Sequence, residues 1–383
     1  MKIGIITHPI IYNYGGILQN YALQQVLIEM GHEVYTIDRL TETALKVKVL
    51  SLGKRILLKL KGKNVKLRGW QTEEESEIIN RNTRGFVNQY INTTDSIITD
   101  SQIKEIHKKY DFDGYIVGSD QVWRRNKARG NNLEFLEFVE GDSAVKKIAY
   151  SASFGVSDWE YNELETKKLR KLVQLFDAVS VREDAGVQLC KEYLKVNAKL
   201  LVDPSMLLTK DRYVSLVEKE GIKSSNGNLF SYILDRNDNK SQIIKKISKD
   251  LGLDSFEVMP EQDYKMELKD DFDINKCVFP KIEQWLRGFM DAEFVITDSF
   301  HGTAFSILFN KPFIAIVNEN RGASRFYSLL KSFGLENRAI TEKKSVDLRL
   351  IRESIDFVEV NRILNQEREK SRIFLKEALN ELA

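Results

Sequence analysis

The fold is decided by a short stretch, residues 294–306, which reads FVITDSFHGTAFS. It begins like a buried strand, stops at a polar turn and resumes with apolar residues at helical spacing, so we interpret it as a strand turning directly into a helix. Free backbone N–H groups and the dipole at such a helix start attract an anion, and His301 lies in the first turn. The alternative is an ordinary turn capped by Ser299, with His301 as a polar surface residue.

The composition describes a globular protein that is too long for one small core. The 383 residues fit two domains of ordinary size, and 42% hydrophobic with 30% charged residues is typical of a folded chain. A net charge of +2 gives no support for nucleic-acid binding, and we predict no nucleic-acid partner. Two distant cysteines and four histidines argue against a structural zinc site, and we predict no metal.

The pattern along the chain also predicts a cellular location. No apolar signal region precedes the first predicted strand, and no run reaches the ~18–20 apolar residues that span a bilayer. The scarcity of cysteine fits a reducing compartment. We expect a cytoplasmic protein.

Strand patterns alternate with helix patterns in two series, which predicts two α/β domains. We expect an N-terminal Rossmann-like domain over residues 1–215, a second one over 225–345, and C-terminal helices over 346–383. The first series has six strands, near residues 3–7, 33–38, 115–117, 148–155, 178–183 and 199–204; the second has four, near 229–234, 256–259, 294–297 and 313–317.

Two open parallel sheets in tandem leave a cleft between them, an architecture often called GT-B. Ligands of such sheets bind at the carboxyl ends of the strands, where the polar turns of this sequence fall. The loop after the first strand is rich in glycine but is neither GxGxxG nor a Walker loop, so it indicates no dinucleotide. We expect Gly15 in this loop to let a ligand approach the backbone closely; a simple turn is the alternative.

One insertion in the first domain is strongly basic. Residues 44–70 contain nine Lys or Arg and no Asp or Glu, with leucine and isoleucine interleaved. This pattern is typical of a helix on an anionic surface, and we expect contact with the inner leaflet of the membrane or with a lipid-diphosphate acceptor. The alternative is a solvated helix packed on its own domain.

Five motifs occur in an order that resembles the polysaccharide pyruvyl transferase family. They are NYGGxLQxYAL at 13–23, GSDQVW at 118–123, SVRE at 180–183, VDP at 202–204 and DSFHG at 298–302. The resemblance covers residues 1 to about 338. It implies a GT-B-like fold and transfer of the enolpyruvyl unit of phosphoenolpyruvate to two hydroxyls of a surface-polysaccharide precursor, in capsule or cell-envelope synthesis, giving a cyclic ketal. It implies no cofactor, and the acceptor sugar is expected on a polyprenyl diphosphate.

The resemblance also implies roles for site residues. His301 corresponds to the essential histidine, as acid or phosphate-charge stabiliser, and Arg182 to an arginine that contacts the donor; a surface ion pair with Glu183 or Asp184 is its alternative. Asp120 is our candidate base on the acceptor side. The predicted substrate-binding residues are Asn13, Tyr14, Gly15, Gln19, Ser119, Gln121, Ser299, Gly302, Arg321 and Arg325.

The sequence departs from the family at one position. Family members often have an arginine two residues before the histidine, where this chain has Ser299. Arg321 and Arg325 follow a later strand and are predicted to restore the positive charge, or else to face solvent. Asp298 is expected either to orient His301 or to cap the helix. Trp123 is expected either to stack on a sugar or to lie in the core.

Two other functions fit the same architecture. A nucleotide-sugar glycosyltransferase or epimerase would place a donor diphosphate at the same helix start, with an acidic residue for the ribose; Glu319 is the nearby candidate. A non-catalytic glycan-binding or membrane-scaffold protein would keep the fold without a working donor site.

Overall fold

The computed structural model describes residues 1–40, 52–53, 55–57, 59–60, 71–126, 132–264, 272–317, 322–342 and 347–379. Arg321 and Glu319 lie outside the described residues, as does most of the basic segment 44–70.

The first sheet has six parallel strands, as predicted. They are β1 (Lys2–Ile6), β2 (Glu33–Thr36), β3 (Gly114–Val117), β4 (Lys146–Ala152), β5 (Ala178–Val181) and β6 (Lys199–Leu200), in the spatial order β2-β1-β3-β4-β5-β6. The central strands are nearly continuous apolar runs because helices cover both faces of the sheet. Because all six strands are parallel, the four motifs that follow β1, β3, β5 and β6 lie at one edge of this sheet.

The second sheet is also parallel and has five strands. They are β7 (Leu229–Tyr232), β8 (Ser255–Phe256), β9 (Phe294–Thr297), β10 (Phe313–Ile316) and β11 (Ala339–Ile340), in the order β11-β10-β9-β7-β8. The two-residue strand β11 was not expected from the sequence, because so short an element has no periodicity. The predicted α/β fold with two parallel sheets is confirmed.

Besides the helical residues 52–53, 55–57 and 59–60, twelve α-helices connect and cover the sheets in the described part of the chain. They are α1 (Tyr14–Glu29), α2 (Glu73–Tyr90), α3 (Ile103–Tyr110), α4 (Glu163–Val173), α5 (Asp184–Leu189), α6 (Lys210–Lys219), α7 (Asp238–Leu251), α8 (Ile282–Asp291), α9 (Phe300–Leu308), α10 (Ala323–Ser332), α11 (Leu348–Arg352) and α12 (Phe357–Ala378). No helix among the described residues is both long enough and apolar enough to cross a bilayer.

Contacts of helices α1 and α12 help to tie the second half of the chain to the first. The hydroxyl of Tyr14, at the start of α1, donates to the carbonyl of Pro280 at 3.0 Å, and its ring packs 5.8 Å from that of Trp285 in α8. Helix α12 returns to the first half, where Arg368 donates to the carbonyls of Met206 and Leu208 at 2.7 and 2.8 Å. These contacts set the carboxyl edges of the two sheets against each other.

The strand-to-helix turn predicted at residues 294–306 is present, as β9 followed by α9. Ser299 caps the helix, since its hydroxyl accepts from the N–H of Gly302 at 3.3 Å. Gly302 packs on β9 so closely that a Cβ there would overlap the side chain of Thr297. Its lack of a side chain therefore serves helix–strand packing.

We expect Gly302→Ala to destabilise the protein by about 1–3 kcal/mol, because the added methyl group overpacks a buried contact. The matched control is Gly85→Ala, at an exposed position of α2 where a Cβ meets no atom within 4 Å. The control should gain about 0.5–1 kcal/mol from helix propensity. Urea unfolding followed by circular dichroism measures both changes. Equal stability of the two variants would contradict the packing role of Gly302.

Candidate active site

The predicted motifs meet where the carboxyl edges of the two sheets face each other. The first sheet contributes Asp120 after β3, Arg182 after β5 and Asp203 after β6. The second sheet contributes His301 at the start of α9, and Arg325 in α10. All five side chains are largely buried. The geometry thus brings into one cluster residues that are up to 205 positions apart, counting from Asp120 to Arg325.

Arg182 is the centre of the cluster. Its guanidinium contacts Asp203 Oδ2 at 2.7 Å and Asp120 Oδ1 at 3.0 Å, and it donates to Ser119 Oγ at 3.2 Å. Burial by itself lowers the pKa of Arg182, but the two carboxylates outweigh burial and raise it. The side chain is 4% exposed, so the alternative of a surface ion pair is wrong.

Arg325 supplies a second positive charge beside the first. The ring of Phe300 lies 4.2 Å from the guanidinium carbon of Arg182 and 5.7 Å from that of Arg325. Arg325 also lies 3.8 Å from Asp120 Oδ1. Burial, followed by the like charge of Arg182, lowers the pKa of Arg325 to about 10, which leaves it charged at neutral pH. It is buried, so the alternative of a solvent-facing residue is wrong.

His301 reaches the cluster from the second sheet. Its Nε2 lies 3.6 Å from Asp203 Oδ2, just beyond hydrogen-bond distance, and this buried nitrogen has no hydrogen-bond partner among the described residues. The imidazole packs on Gly15 in α1, where a Cβ would overlap the ring. Gly15 was predicted to let a ligand approach from within a loop, but it lies in α1 and the group that approaches its backbone is His301. The alternative of a polar surface histidine is wrong, because the residue is 5% exposed.

Asp203 joins the two halves of the cluster and was missed as a site residue. Its Oδ2 accepts from Ser119 Oγ at 2.9 Å as well as from Arg182, and its Oδ1 accepts from the hydroxyl of Ser205 at 2.6 Å. Burial raises the pKa of the Asp203 carboxyl, but His301 and then Arg182 outweigh burial and hold it well below its usual range. The sequence signal for Asp203 is the VDP motif, but the motif alone predicted no role for its carboxylate.

Asp120 has an unusual backbone for a non-glycine residue, with φ of 77°. This conformation turns its carboxylate toward Arg182, and Oδ2 accepts from the amide of Asn13 at 3.3 Å. Burial alone raises the pKa of Asp120, but the positive charges around it, Arg182 foremost, outweigh burial and hold it well below its usual range. Asp120 is therefore an ion-paired carboxylate.

Glu183 supports the rim of the cluster and was also missed. One of its oxygens, Oε1, accepts from the N–H groups of Phe154 and Gly155 at 2.8 and 3.2 Å and from Ser153 Oγ at 3.0 Å. Burial raises the pKa of Glu183. Its other oxygen is buried without a hydrogen-bond partner in the described residues. Glu183 fixes the loop after β4, and no sequence pattern distinguishes such a role from a surface acid.

Other predicted residues lie at the edge of the cluster or in the core. Gln121 accepts from Arg124 at 3.0 Å and packs on Gly155. Gln19 is 1% exposed, and its amide donates to Thr7 Oγ1 and to the carbonyl of Gly16. Tyr14 lies at the junction between the two sheets. The positions of Gln19 and Tyr14 favour structural roles over substrate contact.

Two open alternatives are decided by the contacts. Trp123 is fully buried, stacks on Phe135 at 5.1 Å and lies in the core. Asp298 neither orients His301 nor caps α9. Its carboxylate accepts from the backbone of the loop after β7 and pairs with Lys240 of α7 at 2.7 Å.

The cluster contains the kinds of group that bind an anion and transfer a proton. Two guanidinium groups and an imidazole converge there beside two carboxylates. No group of three or more His, Cys, Asp and Glu side chains in the described ranges is arranged to bind a metal ion.

Comparison with solved structures shows the fold. UDP-GlcNAc 2-epimerase from Neisseria meningitidis, bound to UDP-GlcNAc, matches with a TM-score of 0.50 at 10% identity, and the match covers 100% of both chains. The Methanocaldococcus jannaschii UDP-GlcNAc 2-epimerase, in complex with UDP-GlcNAc and UDP, matches with a TM-score of 0.50 at 14% identity, again over 100% of both chains. The fold is therefore GT-B-like, as predicted.

Comparison of sequences shows the family. No curated protein sequence matches the chain. The family model described as polysaccharide pyruvyl transferase matches residues 13–320, which is most of the chain and includes every residue of the cluster except Arg325. This protein therefore belongs to the polysaccharide pyruvyl transferase family.

Proposed function

We propose that the protein transfers the enolpyruvyl unit of phosphoenolpyruvate to two hydroxyls of a sugar in a surface-polysaccharide precursor. The observation that carries the proposal is the buried convergence of Arg182, Arg325 and His301 at the meeting point of the two sheets. A trianionic donor needs several positive charges in a site from which water is excluded. No cofactor is needed, because the donor carries its own leaving group.

Arg325 supplies positive charge near Ser299, the position at which the sequence departs from the family. Both arginines flank Phe300, the residue between Ser299 and His301, so Arg325 places positive charge beside the helix start where the family arginine is missing. A guanidinium binds a carboxylate or a phosphate with two parallel hydrogen bonds. We assign Arg182 and Arg325 to the donor anion; Arg321, outside the described residues, remains a candidate only from its sequence position.

The reaction begins with a proton for the methylene carbon of phosphoenolpyruvate, which becomes a methyl group. We assign this proton to His301, whose Nε2 lies inside the cluster. The neighbouring carbon becomes oxocarbenium-like, and a sugar hydroxyl attacks it. The bond between this carbon and the phosphate oxygen then breaks, and the second sugar hydroxyl attacks the same carbon and closes the ring. Of the two hydroxyl protons released, one replaces the proton given by the acid and the other leaves with phosphate, so the reaction balances.

Asp120 has a role that depends on the donor. Its carboxylate is paired with Arg182, which makes it a weak base. A donor anion that binds the same guanidinium groups competes with Asp120 and releases it toward the acceptor. The nearby negative charge of the donor then favours protonation of the carboxylate. We propose that donor binding converts Asp120 from an ion-pair partner into the base that accepts a hydroxyl proton.

We assign acceptor binding to the loops of the first sheet. The side-chain amide of Asn13 and the backbone N–H of Gln121 both donate to the carboxylate of the proposed base, so these two residues are our candidates for acceptor contact. Ser119 is committed to Arg182 and Asp203 and helps to position them. The product is expected to enter capsule or cell-envelope polysaccharide.

Donor identity is tested by thermal-shift titration with phosphoenolpyruvate and with UDP-, GDP- and CMP-sugars. We expect a saturable rise in melting temperature with phosphoenolpyruvate alone, because a ligand of the folded state stabilises it by about 2.7 kcal/mol at a hundredfold excess over its dissociation constant. Arg325→Met should lose the rise, whereas Arg362→Met, at an exposed position of α12, should keep it. A shift with a nucleotide sugar alone would assign glycosyl transfer instead.

His301 is tested by two routes. His301→Asn removes the acid and should lower turnover at least a hundredfold, since general acid–base catalysis contributes about 10²–10⁴. Gly15→Ala leaves His301 in the chain but pushes a methyl group into its ring, and we expect a loss of at least tenfold. Release of phosphate from phosphoenolpyruvate with a mixture of cell-envelope glycans measures both. Gly85→Ala is the control, and activity like the wild type in His301→Asn would refute the assignment.

Substitution of Asp120 should strengthen donor binding but lower turnover. Asp120→Asn removes the charge that competes with the donor, so we expect phosphoenolpyruvate to bind at least about tenfold more tightly, given interactions of roughly 4 kcal/mol for charges 4 Å apart near a protein surface. Turnover should nevertheless fall at least tenfold, because the base is lost. Isothermal titration and phosphate release measure the two effects. Weaker donor binding in this variant would show that Asp120 does not compete with the donor.

A further inference from the structure

A short helix in the first half of the chain exposes an apolar stripe. Residues 52–53, 55–57 and 59–60 are helical, and four aliphatic side chains among them face solvent. Their exposed fractions are 37% for Leu52, 43% for Ile56, 61% for Leu57 and 79% for Leu60. At 3.6 residues per turn, these four positions fall within an arc of about 140°. Single exposed leucines are common, but four on one face of one helix mark an interaction surface.

The same part of the chain has a one-sided charge. Residues 44–70 contain nine Lys or Arg and no Asp or Glu, although the whole protein has a net charge of only +2. Among the helical positions, Arg55 and Lys59 lie beside the aliphatic arc rather than within it. Together these features give a helix with an apolar stripe and a basic surround, the combination that binds in the plane of a lipid surface.

Charge decides between the possible occupants of the stripe. A second copy of the chain would bring another nine like charges against the first, which opposes self-association. A nucleic acid would use the basic residues but would leave the four aliphatic side chains in water. An anionic bilayer uses both, because acyl chains take up the apolar stripe and headgroups pair with Lys and Arg. The occupant that fits both features is an anionic lipid surface.

We infer that the helical residues 52–53, 55–57 and 59–60, which we call the docking helix, bind the protein to anionic membranes. The docking helix lies in the chain between β2 and α2, and β2 ends at the same sheet edge as the proposed active site. Membrane binding itself is independent of the reaction. Its consequence for the substrate, a sugar acceptor attached to a membrane lipid diphosphate, rests on the proposed function.

Vesicle flotation with the full chain tests the inference. We expect binding to vesicles that contain phosphatidylglycerol, little binding to pure phosphatidylcholine, and loss of binding at high salt, because the headgroup attraction is screened. A variant with Leu52→Ser, Ile56→Ser, Leu57→Ser and Leu60→Ser should bind at least tenfold more weakly. The matched control is Leu164→Ser with Val358→Ser, two positions that are 82% and 83% exposed on other helices; it should bind like the wild type.

Several outcomes would overturn the inference. They are absence of binding to anionic vesicles at low salt, equal binding to neutral vesicles, unchanged binding by the fourfold variant, or a dimer in solution that the fourfold variant abolishes. Because all four side chains are exposed, the variant should keep its circular dichroism spectrum and its melting temperature. The phosphoenolpyruvate-induced shift in melting temperature should also be unchanged in the variant, so failure of membrane docking is distinguishable from failure of the proposed donor site.

Discussion

The buried guanidinium of Arg182 requires carboxylate partners, and loops at one edge of the first sheet supply two of them. A buried charge without partners is strongly destabilising, so Asp120 and Asp203 must both reach Arg182. These residues follow β3, β5 and β6, and the ion pairs therefore join three loops at one edge of the first sheet. The φ of 77° at Asp120 is the local conformation through which one of these carboxylates reaches the pair.

The second sheet completes this cluster rather than adding a separate site. His301 approaches Asp203 from α9, and Phe300 presents its ring to both arginines from the same turn. This approach depends on Gly15, since any side chain there would occupy the place of the imidazole. The cluster has two guanidinium groups opposite two carboxylates, and we propose that an incoming anion binds by exchange of partners. In this proposal, the exchange couples donor binding to the state of Asp120.

The fold and the site carry different information about function. UDP-GlcNAc 2-epimerases share the two-sheet architecture at 10% and 14% identity, which shows how α/β sheets can face a cleft but not what this cleft binds. The reaction proposed here depends on the buried charges and on the family, and the site residues come from loops after strands, where the same architecture accommodates unrelated chemistry. Arg325 is an example. It lies in α10 and places a positive charge beside the start of α9, where this chain has Ser299 instead of the arginine that family members often have.

The sequence by itself determined the two parallel α/β units, the strand-to-helix turn at His301, and the convergence of motifs at strand ends. Strand periodicity, glycine and helix caps are local signals, and local signals can be interpreted without coordinates. Only the tertiary structure decided which charges meet: it joined Asp203 to His301, turned Asp298 toward Lys240, and placed Trp123 in the core. It also put Arg325 beside Phe300 and Gly15 under the imidazole. These pairings join residues that are far apart in the chain. Packing and the cost of a buried, unpaired charge determine which residues pair, and residue spacing carries no information about either.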